Sequence, residues 1–330
     1  MELPNYLKNA SEKLIEGMNI NAMSQSAREL SRRYMEESGQ GKSLLNIDEE
    51  AAVYSLMRMP ATVSAVSFAL EKVCEMSDFV PRSLLDAGAG TGGATFAANE
   101  FFALDSITCL EREPAMENIG KKLFSFGEDK AIREARYIRA DLVEEATKAN
   151  DNSKKYVSDL VISSYVLNEM SMEDRMKVVK WLWDNTEKML VIIEPGTPVG
   201  FANIRRIRDF LMEQGAYVCA PCPHMENCPV TGDDWCHFTV RVQRGKIHKM
   251  LKNADVPYED EKFSYIAFSR EPLKMDKCGR IMRHPITLKG RVELSLCTSD
   301  GIYTKTVTKK DNEAYKCAKK ADCGDIYPFI

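Results

Sequence analysis

Along residues 1–80 apolar positions recur at helical spacing. Leu7, Leu14, Ile15 and Met18 share one face, and the stretch from Glu49 to Cys74 keeps that rhythm with Pro60 interrupting it, so the chain opens as a helical region. From Ser83 the texture changes. The short apolar runs SLLDAG, SITCLE, ARYIRAD, DLVISSYV and MLVIIEPG alternate with helical patterns, as βαβ units do, and predict an α/β fold with a mostly parallel, doubly wound sheet. After Glu194 the alternation stops. A helix at about 203–214 leads into a cysteine-rich loop, and KFSYIAFSR (262–270) reads as a further strand. RVELSLC and GIYTKTVTK flank Ser299-Asp300-Gly301, a hairpin-turn sequence, so the tail forms a small β-rich module. The pattern divides the chain into a helical region at 1–80, a core at 81–275 with a cysteine-rich insertion at 215–240, and a β module at 276–330.

The chain has 330 residues, 44% hydrophobic and 28% charged, which suits one large domain with an appendage or two modest domains. No apolar run in the sequence pattern reaches the length of a membrane span, so no membrane partner is expected. The opening MELPNYLKNASEKLIEGMN has acidic residues and helical rhythm, where a secretory signal has a basic start and an apolar block. The net charge of −4 argues against a general nucleic-acid binder, but it hides an asymmetry. Residues 241–330 hold 19 Lys+Arg against 12 Asp+Glu, whereas residues 1–240 hold 26 against 37. The basic third is the candidate RNA surface; a solvated basic face is its plain alternative. Oligomeric state leaves no mark on the sequence.

Asp86-Ala87-Gly88-Ala89-Gly90-Thr91-Gly92-Gly93 follows a strand and opens a helix. Glycines there let the backbone turn sharply and approach a ligand, which fits a dinucleotide or S-adenosylmethionine. Two features favour the second. Asp86 stands before the glycines, where a carboxylate repels a pyrophosphate. Glu111 ends the next strand, where an acidic side chain can accept from both ribose hydroxyls. Asp141, after the third strand, falls where an adenine-contacting residue lies. Together Asp86, Gly88, Gly90, Glu111 and Asp141 match the D-x-G-x-G pattern of class I methyltransferases better than a dinucleotide fingerprint. The fourth strand leads to the acceptor edge of such a sheet. It carries no Asn-Pro-Pro-Tyr motif, and no catalytic residue is identified; Asn168 and Glu169 are candidates for orienting an acceptor or for plain capping roles.

Ten cysteines argue for thiols or metal ligands rather than a disulfide framework in a chain with no export signal. Cys219, Cys222, Cys228 and Cys236 fall close together, the last three in a Pro- and Gly-containing loop able to wrap an ion or cluster. Thiolates suit zinc or iron–sulfur centres. The spacing is not that of paired zinc knuckles, so the residues leave the metal open, and the fourth ligand as well: Cys219, Cys278 and Cys297 all qualify. Idle buried thiols are the plain alternative. His224 and His237 are further candidate ligands, although a hydrogen-bonded loop histidine is commoner.

Several segments together resemble one family, the methyltransferase-like proteins of the mitochondrial small ribosomal subunit and their bacterial relatives. They are Arg58-Met59-Pro60-Ala61-Thr62, SLLDAGAGTGGATFAA, LVIIEPGTPVGF, APCPHMENCPVTGDDWCHF, KFSYIAFSR and ELSLCTSDG, followed by Cys323-Gly324-Asp325. The resemblance implies a class I methyltransferase core with S-adenosylmethionine as cofactor. It also implies a 4Fe–4S cluster on Cys222, Cys228, Cys236 and Cys297, with Cys219 and Cys278 spare. The implied function is binding or methylating small-subunit ribosomal RNA during ribosome assembly. A non-catalytic assembly factor that retains the cofactor is the alternative, and a small-molecule methyltransferase with a structural zinc site is the weaker one. With no recognisable mitochondrial presequence, the expected location is cytoplasmic, as for a bacterial relative. The family tail carries a tryptophan where this chain has Cys323, a departure that bears on local packing.

Overall fold

The computed structural model describes residues 3–37, 47–148, 155–252, 254–273 and 278–328; the segment boundary expected at 275 lies outside them. In chain order the elements begin with α1 (Asn5–Leu14), α2 (Ile20–Glu37), α3 (Asp48–Met76), β1 (Ser83–Ala87), α4 (Gly93–Phe101), β2 (Ser106–Glu111), α5 (Pro114–Ser125) and α6 (Lys130–Arg133). Then come β3 (Arg136–Arg139), α7 (Leu142–Lys148), β4 (Ser158–Ser164), α8 (Met172–Asp184), β5 (Thr186–Pro195), α9 (Pro198–Glu213), β6 (Tyr217–Ala220) and β7 (Phe238–Gln243). The chain closes with α10 (Lys246–Leu251), β8 (Tyr258–Ser269), β9 (Gly279–Ile281), β10 (Ile286–Leu288), β11 (Arg291–Thr298), β12 (Gly301–Thr308), α11 (Asn312–Ala318) and β13 (Ile326–Tyr327). These elements form two compact units that interleave along the sequence.

The first unit comprises Met1–Phe68, Val80–Leu190 and Val240–Glu261. Its parallel strands lie in the order β3-β2-β1-β4, so the chain reverses direction across the sheet between β1 and β4. That reversal opens a crevice at the carboxyl ends of the strands, which is where doubly wound folds bind ligands. Leu84, Leu85, Leu110, Leu160, Val161 and Ile162 are buried on these strands, the near-continuous apolar pattern of a sheet covered on both faces. The architecture is the Rossmann-like α/β fold of class I methyltransferases.

Helix α3 runs unbroken through Pro60, against the expected interruption. Proline removes a single ladder hydrogen bond, and here Met57, Met59, Ala61 and Val63 around it are buried, so packing holds the helix together. By length and composition α3 could also cross a membrane, contrary to the reading that no segment approaches that length. However, 78% of its apolar window is buried in the protein, as in a core helix.

The second unit comprises Ala69–Phe79, Val191–Thr239 and Lys262–Ile330. Strand β6 pairs antiparallel with β8. A separate sheet has the order β10-β11-β9-β13, and β12 pairs antiparallel with β11 along its whole length. The hairpin expected at Ser299-Asp300-Gly301 forms, with Thr298 opposite Gly301. Along β11 the side chains of Val292, Leu294 and Leu296 enter one core with Ile281, Val307 and Ala318. Cys297, one residue out of that alternation, enters a different cluster with Phe201, Val230 and Met282.

Candidate functional site

In the first unit, the chain leaves β1 and turns at once through the glycine loop. Gly88 has φ +78, and a Cβ there would come within 2.2 Å of Val166 Cγ2. Only glycine lets this loop pass so close to the segment after β4. The loop's amides are used within the protein: Gly88 and Ala89 N–H both donate to Leu110 O at 2.9 Å, and Gly92 N–H donates to Ala89 O at 2.8 Å. Gly90 N–H donates to Glu111 Oε2 at 2.7 Å.

Gly88, Gly90, Glu111 and Asp141, four of the five residues expected at a cofactor site, line one pocket. Glu111 is nearly buried; its other oxygen accepts from Glu113 N–H at 2.8 Å. Burial raises its carboxyl despite the N–H groups of Glu113 and Gly90. Asp141 caps α7, with Oδ1 accepting from Val143 N–H at 2.8 Å and Glu144 N–H at 3.1 Å. Asp86 does not line the pocket. It is fully buried, and its Oδ2 accepts from Thr95 N–H at 3.0 Å and Thr95 Oγ1–H at 2.7 Å. Burial pushes its carboxyl up to about 7. Asp86 therefore braces the start of α4 from beneath, a role its place in the motif did not reveal.

The pocket is acidic, lined by Glu111, Glu113, Asp141 and Glu169 against Arg58 and Arg112. Arg112 reaches three of these carboxylates: Nε lies 3.4 Å from Glu113 Oε1, Nη1 4.0 Å from Asp141 Oδ2, and Nη2 3.7 Å from Glu169 Oε2. Burial pushes the Glu169 carboxyl up to about 7, with Arg112 opposing the rise and Glu111 and Glu113 adding to it. Asn168, the other candidate beside it, does not line the pocket. Helix α3 supplies Tyr54, Arg58, Met59 and Thr62. Sequence reading missed these, although the Arg58-Met59-Pro60-Ala61-Thr62 segment was distinctive enough to flag.

At the acceptor edge, Tyr165 holds a left-handed backbone at φ +60, uncommon for an aromatic residue and a form of strain that concentrates at functional sites. Its hydroxyl donates to Glu261 Oε1 at 2.9 Å. Arg58 donates to the same carboxylate through Nη2 at 3.2 Å and Nη1 at 3.4 Å, and lies over the Tyr165 ring at 5.7 Å.

In the second unit, Cys222, Cys228 and Cys236 of the loop between β6 and β7 line a cavity together with Cys297 from β11. Several bonds shape the loop. Trp235 Nε1–H donates to Gly196 O at 3.0 Å, Ser264 Oγ–H to Cys236 O at 2.8 Å, and Arg205 Nη1–H to Val230 O at 3.2 Å. Burial raises the Cys236 thiol well above its ordinary value, and the neighbouring thiols of Cys222, Cys297 and Cys228 add to the rise. Burial likewise pushes Cys297 up to about 12. Among the described residues no carboxylate lines the cavity, and thiols are the donor type that soft metals take. Among the described residues, no three His, Cys, Asp or Glu side chains converge on the position of one ion.

Cys219 and Cys278 do not line the cavity. Cys219 is buried on β6. His224 is buried with Nε2 3.6 Å from Cys297 Sγ. His237 instead stacks on Trp235 at 5.1 Å, with Nδ1 3.2 Å from Trp235 O. Cys323 is buried and donates to Met282 O at 3.1 Å.

The chain is similar to the human ribosome assembly protein METTL17, mitochondrial, at 28% identity over 295 residues, covering 84% of this chain and 62% of that protein. It is also similar to the Rsm22-cox11 tandem protein 2, mitochondrial, of Schizosaccharomyces pombe, at 23% identity, covering 75% of this chain and 38% of that one. It therefore spans less than two thirds of either relative. Among solved structures, the magnesium protoporphyrin IX methyltransferase ChlM from Synechocystis PCC 6803 with bound SAM is similar at 14% identity and a TM-score of 0.39, over 74% of this chain and 97% of that one. So slight a likeness carries no functional inference. Both curated relatives are mitochondrial by name, which overturns the expectation of a cytoplasmic location; the composition of the opening residues was too weak a basis for it. The family model for the mitochondrial small ribosomal subunit protein Rsm22 matches residues 48–328, in agreement with the resemblance read from the motifs, and the chain belongs to that family.

Proposed function

We propose that the pocket of the first unit holds S-adenosylmethionine. We further propose that the chain serves small-subunit assembly by binding or methylating ribosomal RNA, and that Cys222, Cys228, Cys236 and Cys297 hold a 4Fe–4S cluster. The observation that carries the cofactor reading is a glycine loop whose Gly88, Ala89, Gly90 and Gly92 amides are already bonded inside the protein, in a pocket ringed by four carboxylates. The loop leaves a pyrophosphate few free amides, and the four carboxylates outnumber Arg58 and Arg112, whereas a sulfonium and an amino group are cations. Glu111 retains acceptor capacity for ribose hydroxyls beyond the two N–H groups it already binds. Gly88 and Gly90 give close backbone approach, Asp141 bounds the adenine side, and Asp86 acts indirectly by bracing α4. When bound, S-adenosylmethionine supplies an electrophilic methyl group. Glu169 and Tyr165 stand where an acceptor would be oriented.

The cluster reading is supported by four soft donors and, among the described residues, no carboxylate around one cavity. A single zinc ion draws its thiolates to within about 4 Å of one another; a cluster sets its sulfurs further apart and asks for less convergence. Such a centre would tie the loop to β11 and contribute folding free energy. For RNA, Lys305, Lys309, Lys310, Lys316, Lys319 and Lys320 are exposed on and after β12, and phosphate contacts through them would make binding strongly salt-dependent.

A second, non-catalytic reading has its own observation, the tie between Tyr165, Glu261 and Arg58 across the acceptor edge. One experiment separates the two. Anaerobically purified protein is incubated with methyl-labelled cofactor and immature small subunits. Transfer to RNA supports catalysis; cofactor binding without transfer supports the assembly factor; binding of NAD but not S-adenosylmethionine overturns the cofactor assignment.

A further inference from the structure

The cysteine cavity is lined by two arginines as well as four thiols, and both arginines are almost fully buried. Arg280 on β9 and Arg208 on α9 are each 2% exposed. Arg280 is paired directly opposite Cys297 across the β9–β11 ladder, so the two side chains stand on the same face of the sheet. Its Nε–H donates to Pro221 O at 2.8 Å and one Nη1–H to Gly324 O at 2.7 Å, while Nη2 is buried without a partner. Its Nη1 lies 3.8 Å from Glu75 Oε2. Arg208 donates through Nη2 to the carbonyls of His224 and Glu226 in the cysteine loop, and its Nε is buried without a partner. Among the described residues it meets a carboxylate at Asp209 Oδ1, 3.4 Å from Nη1.

Two buried cations beside a cavity with no carboxylate among its described lining, each paired only loosely with an exposed carboxylate outside it, make a costly arrangement unless something anionic completes it. Neutral thiols do not. Four thiolates around a doubly charged metal core do, because they leave two negative charges for two guanidinium groups to offset.

We infer that Arg208 and Arg280 are the charge partners of a tetrathiolate metal centre, their free N–H groups donating to its sulfur atoms. The inference rests on the four-cysteine reading above and extends it to groups that position the centre and tune it. Donors to ligating sulfurs hold the thiolates in their charged form and move a cluster's potential upward. Buried Arg280, Arg208 and His224 thus form the outer layer of one site assembled from α9, the loop and β9–β11.

The test uses the full chain, purified anaerobically and reconstituted with ferrous iron and sulfide, in wild type and in Arg208→Gln and Arg280→Gln. Iron release into excess chelator is followed with time, and reduction potential by anaerobic titration with dithionite. The expected result is release at least about tenfold faster in each variant, with a lower potential; a tenfold fall in the one-electron reduction equilibrium is about 59 mV. Wild-type release and potential in both variants would overturn the inference and leave the cluster intact. A wild type that holds no thiolate-bound metal overturns both. If the Gln variants fail to fold by circular dichroism, Arg208→Lys and Arg280→Lys decide. They keep the charge, so release should stay within about threefold of wild type and the potential within about 28 mV, the same threefold in a one-electron equilibrium, and loss as severe as tenfold overturns the charge argument.

Discussion

Glu169→Gln offers a direct test of the pocket's electrostatics. The Glu169 carboxyl goes from its ordinary 4.5 to about 7 because it is buried beside Glu111 and Glu113, with Arg112 only partly compensating. The folded protein thus binds this proton more tightly than the unfolded chain does. The associated stability is complete below pH 4.5, declines as pH rises from 4.5 to about 7, and is absent above that. Each decade is worth about 1.4 kcal/mol, so the ionised carboxylate costs up to about 3 kcal/mol; its residual solvent contact brings the figure nearer about 1–2 kcal/mol. Glutamine carries no charge at any pH. The variant should therefore match wild type in acid and exceed it by about 1–2 kcal/mol near about pH 8, a few degrees in melting temperature. Thermal melts of both proteins across that range provide the assay. The added stability should come with weaker S-adenosylmethionine binding, and with a smaller loss for S-adenosylhomocysteine, which lacks the sulfonium charge. A stability difference that is flat with pH, or largest in acid, would refute the reasoning.

Gly88→Ala should cost about 2 kcal/mol or more, because φ +78 penalises a side chain and the new Cβ meets Val166, and cofactor binding by calorimetry should fall more than about tenfold. Gly90→Ala, with φ +55 and open space around its Cβ, should cost only about 1 kcal/mol yet still weaken binding. Leu294→Ala removes a fully buried side chain from the second unit's sheet core and should cost about 2–5 kcal/mol in urea unfolding; less than about 1 kcal/mol would contradict that packing. Trp235→Phe removes the 3.0 Å hydrogen bond to Gly196 O and should cost about 1 kcal/mol, with faster protease cleavage in the cysteine loop as its local readout.

The five strands from β1 to β5 were legible because each is a short apolar run set off by helical spacing, a local signal that survives without any contact information. The same holds for the helix at 203–214, the hairpin at Ser299-Asp300-Gly301 and the glycine loop. Short β6 and β7 left no such signal, lying on either side of a loop whose cysteines dominated the reading. Motif position identified Glu111 and Asp141, but it could not say that Asp86 faces inward onto Thr95 rather than outward to the pocket, since a strand's last side chain can serve either purpose.

What the sequence determined by itself was the order of elements, the class of fold, the family and the types of side chain available for chemistry. Tertiary structure alone decided which of them meet. Cys297 joins the loop cysteines because it falls one residue out of phase with Val292, Leu294 and Leu296, which turns it to the opposite face of β11. Arg208 and Arg280 read as ordinary charged residues until helix packing and strand pairing buried them beside the thiols. Long-range register and burial belong to the whole packed chain, and no window of sequence contains them.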